Sequence, residues 1–327
     1  MAKTTNSKMK LLYLMKIFLE ETDENHPLTM PQIIDKLLTY GIKTERKSVY
    51  SDIELLTLFG IDIVGEKRNS YCYYVASRNF ETAELKLLAD CVQSSKFLTE
   101  KKSLALIKKI EELTSRHEAT KLRRQVHVMG RIKTMDETIL YSVDTLNSAI
   151  SENKKIAFKY CEYTPDKNKV FKNEGNDYIV SPFFLVMSED NYYLLAHYPK
   201  HEGLTHFRVD RIASIKMLNE KNENIEDILG KDFDITSYSK KVFGMFSGET
   251  QTVTLSCKNS LMGAVIDRFG KDITVTKCQK EHFEVDVNVN ISPVFFAWVF
   301  TFEGDIKIVS PKNVVKKFNK TLKKFKD

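Results

Sequence analysis

Two arginines and a histidine lie close together on a segment rich in aromatic and apolar residues, and this group is suited to binding an anion. His206, Arg208 and Arg211 follow the apolar run at residues 192–196 after a short polar loop. A guanidinium carries five fixed N–H donors and does not lose its charge, so each arginine needs a partner. Because side chains alternate along a strand, His206 and Arg208 are predicted to share one face. Such a face suits a phosphate, a nucleotide or a nucleic-acid backbone.

The residues predicted to bind this ligand come from several strands. Arg208 is the leading candidate, whereas Arg211 either contacts the ligand or forms an ion pair with Asp210 or another carboxylate. His197 and His201 are four residues apart, but they lie at a predicted strand end without thiol or carboxylate partners, so no metal site is predicted. The full set predicted to line the ligand face is Tyr160, Ser181, Tyr193, His206, Arg208 and Arg211.

The same stretch resembles the WYL domain of bacterial transcription regulators. The signature of that family is Trp-Tyr-Leu followed by the pattern Arg-x-Phe-Arg-x-Asp-Arg-Ile, and this chain has the two parts at residues 192–194 and 205–212. Tyr192 stands in place of the family's Trp and keeps an aromatic face, while Thr205 stands in place of the first Arg and removes one charge. The resemblance implies a ligand-sensing domain with an Sm-like or SH3-like barrel.

The elements that must position this group are predicted to be short strands. Apolar and β-branched residues separated by turn residues favour a small β-barrel over this part of the chain. The predicted strands cover residues 155–160, 177–180, 183–187, 192–197 and 204–209.

A second group of functional candidates lies near the N-terminus. Three segments with apolar residues at helical spacing are followed by two β-rich runs, which predicts three helices and a hairpin. These five runs cover residues 8–21, 30–41, 44–59, 61–65 and 71–76. Three helices with a tight second turn and then a hairpin are typical of a winged helix-turn-helix. The run from Thr44 to Leu56 also resembles the recognition helix that precedes WYL domains.

Polar and basic residues of the third helix are predicted to lie off its apolar stripe and to reach a major groove. Lys67 and Arg68, at the tip of the hairpin, are predicted to contact phosphates. The alternatives are an ordinary solvated surface and a docking module for another protein. The residues predicted to contact double-stranded DNA are Thr44, Arg46, Lys47, Ser48, Tyr50, Ser51, Lys67 and Arg68.

The remaining regions are predicted to be a helical bridge and a mixed C-terminal domain. The apolar faces of the bridge either pair with a second copy or pack against their own domain; they carry Leu85, Leu88, Val92, Ile107 and Ile110. The C-terminal order strand-helix-strand-strand-helix-strand predicts a ferredoxin-like fold, and WYL regulators often carry such an extension. The seven lysines from Lys312 to Lys326 form either a solvated helix face or an auxiliary nucleic-acid contact.

The predicted fold is therefore α+β and multidomain. It consists of a winged helix-turn-helix at residues 1–79, a helical bridge at 80–135, a WYL barrel at 136–220 and a ferredoxin-like βαββαβ domain at 221–327.

Composition restricts the class of protein more than it identifies the function. Hydrophobic residues make up 42% of the 327 residues and charged residues 29%, as in ordinary soluble proteins. No run is apolar enough to span a membrane, and the five scattered cysteines predict reduced thiols, so a cytoplasmic location is expected. The net charge is +6, but residues 1–80 hold eleven Lys or Arg against ten Asp or Glu. Charge therefore permits only a local nucleic-acid-binding patch.

These observations together predict a ligand-responsive DNA-binding transcription regulator that forms a homodimer and needs no cofactor. Its effector is predicted to be a nucleotide or a nucleic acid. The alternative is a non-regulatory accessory protein that binds RNA or single-stranded DNA through the WYL barrel. An enzyme is not expected, because the sequence has no nucleophile elbow, P-loop or Gly-rich dinucleotide fingerprint.

Overall fold

The computed structural model describes residues 2–122, 133, 137–246 and 248–325, with the side chains of these residues from residue 8 onward except residue 240. Within it the chain forms two compact units, residues 1–137 and 138–327. Most of the predicted bridge beyond residue 122, the predicted boundary at residues 135–136 and the last lysine, Lys326, lie outside the described residues. In the parts of the chain that the structure describes, no helix is long and apolar enough to cross a membrane.

The first unit begins with three helices and a small antiparallel sheet. In chain order these are α1 (Ala2–Glu21), β1 (Leu28–Thr29), α2 (Met30–Thr39), α3 (Arg46–Leu58), β2 (Ile63–Lys67) and β3 (Tyr71–Val75). The strand order is β1-β3-β2, so the β2–β3 hairpin is joined by a short third strand. A capping box starts α2, because Gln32 accepts a hydrogen bond from the backbone N–H of Thr29 at 2.8 Å.

The apolar stripes of these three helices meet in one core. Each helix contributes fully buried side chains, and the last strand contributes one more. These core residues are Leu14, Ile17, Phe18, Ile33, Leu37, Val49, Ile53, Leu56 and Val75. Because the core takes this stripe of α3, the opposite side of that helix remains at the surface.

The bridge begins with α4 (Thr82–Ser94), α5 (Glu100–Glu111) and α6 (Arg116–Leu122). Thr99 caps α5, since its side chain accepts a hydrogen bond from the Lys102 backbone N–H. The N-cap of α4 is Glu81. Leu85 and Ile107 are buried inside their own unit, and the large apolar side chains left exposed on these helices include Leu87 and Leu104.

The second unit opens with a helix packed beside a curled antiparallel sheet. Its elements are α7 (Ile139–Ser151), β4 (Lys154–Tyr163), β5 (Lys169–Phe171), β6 (Tyr178–Ser188), β7 (Asn191–His197), β8 (Leu204–Arg208) and β9 (Ile212–Lys221). The order is β5-β4-β6-β7-β8, and β9 pairs with β4. Two predicted strands are one strand, β6, with an irregular register near Pro182. Strand β9 was not predicted; Ser214, with a φ of 54°, interrupts its alternation.

Two short helices, α8 (Ile225–Leu229) and α9 (Ile235–Lys241), separate the curled sheet from a four-stranded sheet. The C-terminal elements are β10 (Thr250–Lys258), α10 (Met262–Phe269), β11 (Thr274–Cys278), β12 (His282–Asn290), α11 (Pro293–Phe300), β13 (Ile306–Ser310) and α12 (Lys312–Lys323). The strand order is β11-β12-β10-β13, and every neighbouring pair is antiparallel. The inward-facing residues of β10 and β12 and the helix α11 form a second large core. The whole fold is thus mixed α and β, with N-terminal helices, a curled sheet and further sheets.

Candidate functional site: a polar helix face and a tyrosine–arginine cluster

Four of the predicted DNA-contacting residues share one exposed face of α3. Arg46 and Tyr50 are four residues apart, as are Lys47 and Ser51, so each pair lies one helical turn apart on the same side. Arg46, Lys47 and Ser51 are exposed, and Tyr50 is half-buried. The face is free for a partner because the apolar stripe of α3 is buried on the other side.

The arginine of this face is held by aromatic side chains. Arg46 Nε donates a hydrogen bond to the Tyr50 hydroxyl at 2.7 Å, and its guanidinium lies 5.5 Å from the centre of the Tyr50 ring. Tyr73, from the hairpin, lies 6.3 Å from Tyr50 and 5.3 Å from Tyr71 between ring centres. Burial, together with the neighbouring tyrosines, raises the pKa of Tyr73 to about 12. The Tyr73 phenol therefore remains neutral at physiological pH.

Two other residues predicted to contact DNA, Ser48 and Thr44, do not belong to the polar face described above. Ser48 accepts a hydrogen bond from Lys10 Nζ, and the same lysine is buried in an ion pair with Asp52 at 2.6 Å. Ser48 therefore lies on the side of α3 that faces α1. Thr44 lies just before α3, because the N-cap of that helix is the next residue, Glu45.

The basic residues of the hairpin lie at its tip, as predicted. Lys67 ends β2 and is exposed, and Arg68 follows in the turn. Arg68 is partly neutralised by an ion pair with Glu66, and its guanidinium lies 5.5 Å from the Tyr74 ring centre. This surface ion pair contributes little to stability, so it does not prevent Arg68 from changing partners.

In the second unit, Asp210 forms an ion pair with Arg208 rather than with Arg211. Arg208 donates from Nε to Asp210 Oδ1 at 3.0 Å and from Nη2 to Oδ2 at 2.7 Å, a two-point ion pair. Its Nη2 also donates to Asn191 at 2.9 Å. The hydrogen bonds to Asp210 raise the pKa of the Arg208 guanidinium above its ordinary value, despite partial burial. The sequence left open an ion pair between Arg211 and Asp210. In the structure Asp210 pairs with Arg208 instead.

The Arg211 side chain is half-buried and makes no hydrogen bond or ion pair with any residue that the structure describes. Tyr160 and Tyr193 lie near it, since both phenols interact electrostatically with Arg208, Asp210 and Arg211. Burial raises the pKa of both tyrosines, so their hydroxyls stay protonated. We call these five residues the tyrosine–arginine cluster.

Within this cluster, the two tyrosines differ in what their hydroxyls already contact. The Tyr160 hydroxyl accepts a hydrogen bond from the Arg208 backbone N–H at 3.1 Å, and its ring packs on Phe158 and Phe207. Phe207 alternates with His206 and Arg208, so Tyr160 lies on the opposite side of β8 from those two side chains. The Tyr193 side chain is buried, and it lies opposite Arg208 in the register of β7 and β8.

His206 is engaged by a segment beyond the sheet. Its Nδ1 contacts the Met245 carbonyl oxygen at 2.6 Å and its Nε2 contacts the Tyr238 hydroxyl at 2.9 Å. A carbonyl can only accept, so Nδ1 carries the proton and Nε2 accepts from Tyr238. Burial lowers the pKa of His206 below its ordinary value, although the Met245 carbonyl partly opposes this. The ring is therefore neutral and structurally fixed.

Residues 235–246, here called the covering segment, pack on the sheet face from which His206 projects. Val242 and Met245 form a buried cluster with Tyr193 and Leu195, and Tyr238 packs beside them. Sequence analysis did not predict this contact, because the two partners are separated by a strand and a helix. Asn191, Tyr238 and Met245 are the partners that it missed.

Ser181 is also removed from the predicted ligand face. It is almost completely buried, and its hydroxyl accepts a hydrogen bond from the Glu223 backbone N–H at 3.1 Å. The structure thus brings Tyr160, through the Arg208 backbone, and Tyr193, across the β7–β8 pair, close to the Arg208–Asp210 ion pair. His206 and Ser181 are held by the chain that follows the sheet.

The sequence of this region matches a known family. The family model described as the WYL domain matches residues 142–217, which extend from α7 into β9. Residues 142–217 form a WYL domain. In this WYL domain the two parts of the signature lie on paired strands, with Leu194 opposite Phe207 and Ala196 opposite Thr205.

Two solved structures are similar to the chain that contains this WYL domain. One is proteasome accessory factor B/C (PafBC) of Arthrobacter aurescens, with 15% identity, a TM-score of 0.30, and coverage of 95% of this chain and 47% of that one. The other is described as a CRISPR Cas-related protein, with 12% identity, a TM-score of 0.37, and coverage of 89% and 76%. The chain therefore spans about half the length of the PafBC chain. Comparison with curated proteins found no match.

Proposed function

We propose that this protein is a ligand-responsive, DNA-binding transcription regulator rather than an enzyme, and that it acts as a homodimer. The observation that carries the proposal is the exposed polar face of α3, which presents Arg46, Lys47, Tyr50 and Ser51 beside the basic tip of a hairpin in the same unit. Helix-turn-helix proteins place such a helix in the major groove and use nearby basic residues on phosphates.

The proposed regulator has four domains. Residues 1–79 are a winged helix-turn-helix and 80–135 are a helical bridge. Residues 136–220 are a WYL sensor barrel, and 221–327 are a ferredoxin-like domain. The strand order β11-β12-β10-β13, with α10 and α11 as its two crossover helices, supports the last of these assignments.

The sensor of this regulator is the tyrosine–arginine cluster of the WYL domain. Its effector is an anion such as a nucleotide or a nucleic-acid backbone, because Arg211 offers a charged donor fork beside two protonated tyrosines. The effector changes DNA affinity only through unequal binding to two conformations of the protein. The unpaired state of Arg211 favours it over Arg208 as the main ligand contact.

Selection of bound fragments from genomic DNA tests the proposal. The full chain is mixed with duplex fragments, with and without added nucleotides, and with single-stranded DNA and RNA as competitors. We expect enrichment of duplexes that contain two symmetry-related half-sites, since one recognition helix covers only a few base pairs. Preference for single strands without a defined site would instead favour an accessory role in nucleic-acid processing.

A further inference from the structure

The first residue of α3, Arg46, has a guanidinium that is held in place by one neighbour while other donors remain unused. The Nε of Arg46 is occupied by the Tyr50 hydroxyl, at 2.7 Å. Its two terminal amino groups make no hydrogen bond with any described residue. They form a planar fork of donors on an exposed side chain.

The aromatic side chains that hold Arg46 extend from Tyr50 on α3 to Tyr73 and Tyr71 on the hairpin. Tyr50 and Tyr73 are hydrogen-bonded, and Tyr73 packs edge-on against Tyr71. The hydroxyl of Tyr71 donates to the Gly65 carbonyl at 3.2 Å. A side chain at residue 65 would lie only 2.9 Å from both rings, so this glycine lets the tyrosines pack on the strand.

We infer that Arg46 reads a guanine through its two terminal amino groups, and that Tyr50 is the positioning residue that orients it. This inference rests on the proposed DNA-binding function and names the base that the helix recognises. In a major groove, guanine offers two acceptors, O6 and N7, whereas adenine offers one acceptor and one donor. Only guanine matches both arms of a fork whose third nitrogen is already bonded. Arg46 lies in the first turn of α3, where recognition helices contact base edges.

A phosphate contact for Arg46 is the competing role, and it makes a different prediction. Contacts with phosphates strengthen binding to every sequence and increase its salt dependence, but they do not select a base. Lys47, which is exposed and adjacent, is suited to that role because an ammonium is a point charge on a flexible stem.

The test measures binding of the full chain to a selected duplex and to variants of it at each half-site position. The variants of the protein are Arg46→Ala, Tyr50→Phe and Lys47→Ala. Wild-type protein is expected to prefer guanine at one position by roughly 5- to 150-fold. Arg46→Ala should abolish that preference, and Tyr50→Phe, which keeps the ring, should reduce it several-fold. Lys47→Ala should weaken all duplexes by the same factor.

A modified base separates direct reading from a structural effect. Replacing the selected guanine by 7-deazaguanine removes N7 and should weaken wild-type binding, with no further loss in Arg46→Ala. A thermal melt of each variant shows whether it folds. Equal weakening of every duplex by Arg46→Ala, or sensitivity of Arg46→Ala to the modified base, overturns the inference while leaving DNA binding intact. Failure of the wild-type chain to bind duplex DNA overturns the proposed function and the inference together.

Discussion

At the level of single residues, the Asp210 carboxylate forms an ion pair with Arg208, which the sequence makes the leading ligand candidate. Asp210 lies between Arg208 and Arg211 in the chain, and either guanidinium can reach it in an extended segment. The short helical turn at residues 209–211 places it against Arg208, which also bonds to Asn191. Among the described residues the side-chain donors of Arg211 are unused, so the paired arginine and the proposed ligand-binding arginine stand three residues apart.

Removing each arginine should therefore give opposite results. Arg208→Ala leaves Asp210 partly buried without its partner, and we expect the unfolding free energy of the second unit to fall by about 1–3 kcal/mol. Arg211→Ala should melt like the wild type but lose the response of DNA binding to an added nucleotide. Thermal melts and DNA titrations on the same preparations check both results. A stable Arg208→Ala, or a destabilised Arg211→Ala, would reverse the assignment.

The buried imidazole of His206 makes the second unit sensitive to mild acid. Because the folded protein holds the pKa of His206 below its ordinary value of 6.5, the neutral ring stabilises the fold at pH above that value. As pH falls below about 6.5, the unfolded state takes up a proton first and stability is lost towards the folded pKa. We expect a lower melting temperature at pH 5.5 than at pH 7.5.

The control for this prediction is His206→Gln, which keeps a polar side chain without titrating in this range. Its melting temperature should depend less on pH over the same interval. Identical pH dependence in the two proteins would contradict the role of His206.

At the scale of elements, a buried hydrogen bond joins the end of α1 to the start of α6. The Ser115 hydroxyl donates to Asp23 at 2.5 Å and accepts from the Glu118 backbone N–H at 3.1 Å, so Ser115 also caps α6. Burial raises the pKa of Asp23, but the hydrogen bonds from Ser115 and His26 outweigh it and the net shift is downward. The carboxylate is therefore charged when it accepts these bonds.

Ser115→Ala should loosen this junction, because the helix loses its cap and Asp23 loses a donor. We expect a cost of about 1–2 kcal/mol, seen as faster hydrogen exchange of the α6 amides. Thr120→Ala is the matched control, since the Thr120 hydroxyl bonds only to the Arg116 carbonyl on the exposed side of the same helix. Equal exchange rates in the two variants would show that Ser115 does not hold the junction.

Local signals in the sequence predict the elements well, and long-range contacts account for what they miss. The cap at Ser292, which accepts from the Phe295 N–H, and the glycine stop at Gly270 after α10 are both where the sequence places them. Strand β9 was not predicted, because Ser214, with its positive φ, interrupts the alternation of side chains along the strand. The covering segment packs on a distant strand, and Arg208 is held by Asn191 as well as by Asp210. The hydrophobic periodicity of a sequence carries no information on such long-range contacts.

At the scale of the whole molecule, the proposed dimer needs an apolar surface that the fold leaves uncovered. Leu85 and Ile107 pack internally, but Leu87 on α4 is 65% exposed and Leu104 on α5 is 54% exposed. We expect the wild-type chain to be a dimer in light scattering at micromolar concentration, and Leu87→Glu with Leu104→Glu to be a monomer. Leu12→Glu, at a similarly exposed position on α1, is the control. A wild-type chain that stays monomeric with and without DNA would refute the dimer.

The central claim is that the exposed face of α3 binds duplex DNA, and one titration tests it most directly. A labelled duplex from the genomic selection is titrated with wild-type protein, with Arg46→Ala/Lys47→Ala, and with Lys108→Ala/Lys109→Ala. The last variant removes the same charge from exposed positions on α5 of the same unit. We expect the α3 variant to lose roughly 10-fold or more in affinity at moderate salt, with an unchanged thermal melt, and the α5 variant to bind like the wild type. Equal affinity of the wild type and the α3 variant would contradict the claim.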